Sequence, residues 1–222
     1  MGGILLTTIN AKWIHPSLAL RLLKANLGPL EERCDIAEFT LRQPLREMTE
    51  TILSARPLIL GISVSIWNHT ATLELLRELR KIWESGVSAD TVQAPDRPVI
   101  VLGGPEVSYL PPATEIFQYA DHCVPGEGET AFRSLCEAIL SDNTRGNDKN
   151  TGWITSFGSL EGEIVFSQQR ENFSPDFFVN KDFQGEDLTA IRSAYHLYTG
   201  EDLRKKLIYA ETSRGCPYAC EF

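Results

Sequence analysis

Leu58-Ile59-Leu60-Gly61-Ile62-Ser63-Val64, followed by an amphipathic stretch over residues 70–83, decides the fold. The first run is apolar almost throughout, as a strand buried on both faces of a sheet must be. The second carries Leu73, Leu76, Leu79 and Ile82 at helical spacing, so one face of a helix packs on that sheet. Parallel strands need a crossover, and a doubly buried strand feeding a helix is the unit that provides one.

The unit recurs on both sides. Residues 4–9 form a short strand-like run, Asn10-Ala11-Lys12 is polar, and a helix starts near Pro16-Ser17 with Leu18, Leu20, Leu22, Leu23 and Leu27 as its stripe. Pro suits a first helical turn because its missing N–H has no partner there, and Gly28-Pro29 stops the helix. A second strand over 34–39 and a helix over 45–55 follow, ended by Arg56-Pro57. Downstream, Val99-Ile100-Val101-Leu102 makes a fourth strand ending in Gly103-Gly104-Pro105, with a short helix expected over 113–119. A brief fifth strand at 122–124 runs into Gly126-Glu127-Gly128-Glu129 and a helix over 130–140. Such a succession predicts an α/β, flavodoxin-like (Rossmann-like) five-stranded parallel sheet flanked by helices, with ligands at the carboxyl ends of its strands.

Domain organisation follows from the change of character after residue 140. We expect a domain over 1–140, a connector over 141–206 with a hairpin around Leu160-Glu161-Gly162, and the first strand of a second domain at 207–212 within a segment 207–222. Of 222 residues, 42% are hydrophobic and 23% charged, a globular composition that excludes disordered and collagen-like classes. No apolar run approaches the roughly 20 residues of a membrane span, and no signal-peptide pattern opens the chain, so a cytoplasmic location is expected. A formal charge of −9 argues against a dedicated nucleic-acid surface. Five cysteines without a secretory signal make thiol or metal chemistry more plausible than a disulfide framework. Cys34, Cys123 and Cys136 fall on strand or helix positions and read as core; His122 beside Cys123 in a strand points to the opposite face and is a poor chelate.

The other two cysteines lie in Glu211-Thr212-Ser213-Arg214-Gly215-Cys216-Pro217-Tyr218-Ala219-Cys220-Glu221-Phe222. A bare Cys-x3-Cys fits a chance pair as readily as a site, and a zinc site would want a second Cys/His pair. In context the string resembles the cluster loop of radical S-adenosylmethionine (SAM) enzymes, Cys-x3-Cys-x-aromatic-Cys. The resemblance implies that Cys216 and Cys220 ligate a [4Fe-4S] cluster, that Phe222 packs near the adenine of SAM, and that the third cysteine would be the next residue, as if the chain were cut inside the motif. Three thiolates leave one iron open for SAM. The piece with two ligands is expected to be inactive alone, the longer protein an enzyme.

A five-unit parallel domain before such a loop resembles the cobalamin-binding domain of cobalamin-dependent radical SAM proteins. The match rests on Ser63-Val64-Ser65, Gly103-Gly104-Pro105-Glu106 and Gly126-Glu127-Gly128-Glu129, all at carboxyl ends of strands. By resemblance, Ser63, Ser65, Gly103, Gly104, Pro105, Gly126, Glu127 and Gly128 contact cobalamin, with Asn10 and His15 in the first loop. Read without it, the glycine pairs are tight turns and Glu127 and Glu129 suit a helix first turn. Relatives that ligate cobalt by a protein imidazole carry Asp-x-His-x-x-Gly; here His15 stands without that Asp or Gly and reads as a loop histidine near the pocket mouth rather than a cobalt ligand. Trp67, Asn68 and His69 could touch the corrin or cap the next helix. The implied reaction is radical chemistry, commonly methyl transfer to an unactivated carbon, on a substrate the sequence leaves open. The rival is a noncatalytic flavodoxin-like module binding flavin or a partner; neither a P-loop nor an early Gly-x-Gly-x-x-Gly is present, and the first loop lacks a receiver's acidic residues.

Overall fold

The computed structural model describes residues 3–86, 95–142 and 189–211. Five strands form: β1 (Ile4–Asn10), β2 (Cys34–Thr40), β3 (Ile59–Ser63), β4 (Val99–Gly103) and β5 (His122–Val124). All pairings are parallel, in the order β2-β1-β3-β4-β5. This is the flavodoxin-like order, whose direction reverses beside β1, the point where open α/β sheets leave a crevice at their carboxyl edge.

The alternation along the strands separates two apolar layers. Leu5, Ile9, Leu60, Ile62, Ile100 and Leu102 face α2 (Leu45–Ala55), α3 (His69–Ser85) and a 3-10 turn at Glu115–Tyr119. Ile4, Leu6, Ile59, Val101 and Val124 face α1 (Leu18–Ala25) and α4 (Glu129–Asp142). Cys34, Cys123 and Cys136 are buried in these layers as free thiols. Burial pushes the Cys34 thiol up to about 12 and raises the other two as well, so none is a ready nucleophile at neutral pH.

Local chemistry accounts for the helix ends. Ser17 caps α1 by accepting from the Leu20 N–H at 3.3 Å, and α3 stops at Gly86, in the left-handed region at φ +69°. The helix expected over 113–119 is instead the 3-10 turn Glu115–Tyr119. Thr114 N–H bonds Pro111 O and Phe117 N–H bonds Thr114 O, so the chain leaves the diproline at 111–112 through three-residue closures.

The expected connector contains a short helix, α5 (Gly200–Lys205), whose Thr199–Asp202 capping box was not foreseen. Residues 189–206 lie against α1, burying Ala194 and Tyr198. Leu207 N–H then donates to Ile14 O at 2.9 Å. The strand expected at 207–212 does not form over its described residues 207–211, which pair with no other strand. The hairpin around residues 160–162 lies outside the described residues. No described helix is long and apolar enough to cross a membrane.

Candidate functional site

Parallel register sets the geometry of the sheet's α1 and α4 face. Leu6, Gly61 and Val101 are aligned in one row across β1, β3 and β4, and Thr8, Ser63 and Gly103 form the next row toward the carboxyl edge. Above these rows α1 and α4 stand apart, leaving a cleft of about 700 Å³. That volume falls in the range of small-molecule sites, about 300–1,000 Å³. The floor is Leu6, Gly61 and Val101; one wall is Leu18, Ala19, Leu22 and Leu23 of α1, and Phe132 of α4 closes the other.

Gly61 makes the floor low. A Cβ there would lie 2.7 Å from Leu6 Cδ2 and 3.2 Å from Phe132 Cζ, so its absence lets both side chains sink toward the sheet. The mouth is made by three loops. Val64 N–H donates to Gly103 O at 2.7 Å and Glu106 N–H to Val64 O at 3.2 Å, stitching the end of β3 to that of β4. Ser108 Oγ donates to Gly104 O and accepts from Gly126 N–H, both at 2.9 Å, tying the β4 loop to the β5 loop.

Of the residues expected to contact a cofactor, Ser63, Gly103, Gly104, Pro105, Gly126, Glu127 and Gly128 all line this cleft. Three others lie off its lining. Asn10 Nδ2 donates to Glu38 Oε1 at 3.1 Å, holding the first loop to β2. Ser65 is buried with its N–H on Asn68 Oδ1 at 2.8 Å. His15 Nδ1 lies 2.6 Å from the Tyr209 hydroxyl. Cys216, Cys220 and Phe222 lie outside the described residues.

Asn68 is fully buried, its amide donating to Ile9 O at 3.0 Å and Thr8 Oγ1 at 3.2 Å, which fastens β3's exit to β1. His69 Nδ1 sits 3.2 Å from Glu106 Oε1, between α3 and the β4 loop. Trp67 is exposed, as are Trp13, Ile66 and Tyr109 on the loops after β1, β3 and β4. Large apolar side chains gathered at one edge of a sheet mark a contact surface. Beside the floor, burial holds His122 down to about 4 against the opposing pull of Asp121, so its ring is neutral at pH 7.

Ser108 and Phe132 belong to no motif that would single them out in the sequence. Gly61 was legible in principle, because a glycine inside a buried strand signals a close approach.

No protein-family model matches the sequence, and no curated protein matches it. Among solved structures the chain is similar to apo OxsB, a cobalamin-dependent S-adenosylmethionine radical enzyme, with 17% identity and a TM-score of 0.48 over 64% of this chain and 19% of that one. It is similar to a cobalamin-binding protein from Desulfitobacterium hafniense DCB-2, with 15% identity and a TM-score of 0.39 over 62% of this chain and 58% of that one. It is also similar to TsrM, a radical S-adenosylmethionine methyltransferase from Kitasatospora setae with cobalamin and a [4Fe-4S] cluster bound, at 21% identity and a TM-score of 0.44 over 64% of this chain and 25% of that one. The chain thus spans less than two thirds of each of these proteins, all three of which are cobalamin-binding or cobalamin-dependent.

Proposed function

We propose that this chain is the cobalamin-binding part of a radical SAM protein, holding the cofactor's nucleotide tail in the cleft and its corrin against the loops of the carboxyl edge. What supports this is a convergence: three separated segments singled out by their sequence, at Ser63, Gly103-Gly104-Pro105 and Gly126-Glu127-Gly128, line one cleft at the sheet's carboxyl edge. The residues present suit the group. A low apolar floor would accept a flat base, the Ser63 and Ser108 hydroxyls could hold ribose and phosphate oxygens, and loops rich in glycine would let a bulky ring approach the backbone. Exposed Trp13, Ile66, Trp67 and Tyr109 offer apolar surface to the corrin. When bound, cobalamin supplies methyl-group or one-electron chemistry beside the radical chemistry of SAM.

By this reading Cys216 and Cys220 hold the cluster of the longer protein, Phe222 packs by SAM, and methyl transfer to an unactivated carbon is the favoured reaction. The rival flavin module is less well served. None of the described residues lining the cleft is Lys, Arg or His, whereas a flavin mononucleotide presents a phosphomonoester dianion. Titration with hydroxocobalamin, followed by gel filtration and visible spectroscopy, separates the two. Retained, spectrally shifted cobalamin is expected; flavin retained with no cobalamin at high micromolar ligand would replace this reading with its rival. Gly61→Ala should fold, because the contacts it disturbs are ends of flexible side chains, yet weaken cobalamin about tenfold by lifting Leu6 and Phe132 into the cleft.

His15 is not expected to ligate cobalt. Its Nδ1 is engaged with the Tyr209 hydroxyl at 2.6 Å, and the Asp and Gly of the ligating pattern are missing around it. The Co(II) EPR spectrum should therefore lack nitrogen splitting from this ring and be unchanged in His15→Ala. Splitting that disappears in the variant would restore His15 as the lower ligand.

A further inference from the structure

Resting on the cobalamin reading, we infer that the cleft selects among cobamides by the base of the nucleotide tail, taking 5,6-dimethylbenzimidazole over a purine. The chemistry of its floor is uniform. Leu6 is 1%, Val101 2% and Phe132 3% exposed, and Gly61 between them has no side chain. Of the residues in that row, those that line the cleft carry no hydrogen-bonding side chain; His122 continues the row on β5, next to Val101, and is not part of the lining. The backbone of the floor has no hydrogen-bonding group to spare on β3, which is paired with β1 on one side and β4 on the other, nor on β4, paired with β3 and β5. The first hydroxyl on the β3 part of the floor is Ser63, two residues nearer the carboxyl edge, a step of roughly 6.6 Å along a parallel strand.

A tail that enters from the carboxyl edge keeps its ribose and phosphate near Ser63 and Ser108 and sends the far edge of its base to Leu6, Val101 and Phe132. In dimethylbenzimidazole that edge carries two methyl groups, which bury well there. In adenine it carries an amino group and ring nitrogens, which would lose water and meet only carbon. The penalty for one unpartnered buried donor corresponds to about ten- to hundredfold in affinity.

Equilibrium dialysis of the 222-residue chain against three corrinoids tests this: cobalamin, the analogue bearing adenine as its base, and cobinamide, which lacks the nucleotide. Expected is cobalamin tightest, the adenine analogue at least about tenfold weaker, and cobinamide weaker than cobalamin by a similar factor or more. Equal binding of cobalamin and the adenine analogue would overturn the inference while leaving the cobalamin reading intact. So would cobinamide binding as tightly as cobalamin, since the tail would then contribute nothing. Retention of no corrinoid would overturn the cobalamin reading itself, and this inference with it. Val101→Thr, nearly isosteric, sets a hydroxyl on the floor and should shrink the discrimination at least about threefold, with the thermal midpoint as a check on folding. An unchanged ratio in a folded variant would show that the floor does not read the base.

Discussion

Gly104→Ala should lose about 3 kcal/mol or more of stability, although a single methyl group is added to an edge loop. Gly104 has φ +100°, a conformation that L side chains rarely adopt, and a Cβ there would lie 2.5 Å from Val64 O and 2.8 Å from Val64 N. Both neighbours are backbone, and neither can swing away. Val64 N–H is held by Gly103 O at 2.7 Å, and Val64 O accepts from Glu106 N–H at 3.2 Å. Gly104 O also accepts from Ser108, which holds Gly126, so relief at 104 would pull on two of the three loops at the cleft mouth. Gly86→Ala is the control: φ is +69°, but nothing lies within 4 Å of the added Cβ, so only the left-handed penalty of about 1–2 kcal/mol applies. Urea unfolding of the two variants separates conformational strain from close approach. Should Gly104→Ala fall no further than Gly86→Ala, the crowding against Val64 would not be what requires glycine. Retention of cobalamin should fall together with stability at Gly104 and stay normal at Gly86.

The contrast between these glycines shows what the sequence carries and what it does not. The sheet was legible because each strand announces itself locally: 59–62 and 99–102 are apolar without alternation, as doubly covered strands must be. The carboxyl-edge glycines were legible as a set because they recur directly after β4 and β5. Which glycine is indispensable was not, since Gly86 and Gly104 differ in φ and in what the fold brings near them, and no local pattern encodes either. Ser108 depends likewise on contacts that no local pattern encodes. Gly104 is four residues away in the same loop, but Gly126 reaches Ser108 only once β4 and β5 are paired. The docking of residues 189–211 on α1 was the least legible feature of all. The pair that secures it, Arg21 and Asp202, is 181 positions apart, and neither charge stands out in a chain with 51 acidic and basic residues, 30 and 21 of each sign.

Arg21→Met should remove about 3 kcal/mol of stability and free that docked segment. The Arg21 guanidinium is buried, bonding Glu38 at 2.8 Å and Asp202 at 3.4 Å while lying 4.6 Å over the Tyr198 ring. Methionine fills much of the volume but leaves two carboxylates without their shared cation, and the loss of one partner from a buried network is what makes such changes severe. Glu38 keeps Asn10 and the Ser17 N–H, so β1 and β2 stay joined. Asp202 keeps Lys206 at 2.7 Å and the Thr199 N–H at 2.9 Å, so the weakness appears between α1 and α5 rather than inside either helix. Amide exchange should report this most clearly at Leu207, whose N–H is held by Ile14 O. Acid tests instead the contacts that Asp202 makes within α5 and its cap. Burial raises the Asp202 carboxyl, but Lys206 together with the Thr199 N–H and hydroxyl outweighs it and brings Asp202 down to about 2. A carboxylate lowered in the folded state stabilises fully above its unfolded pKa near 4, and that stabilisation, about 2 kcal/mol, is lost as pH falls from 4 toward 2. The wild-type urea midpoint should therefore drop across that window more steeply than that of Asp202→Asn, the two curves converging at the acid end. Parallel curves would mean that Lys206 and Thr199 do not hold the Asp202 carboxylate, and an Arg21→Met loss below about 1 kcal/mol would mean that apolar burial of Ala194 and Tyr198 holds the segment on α1.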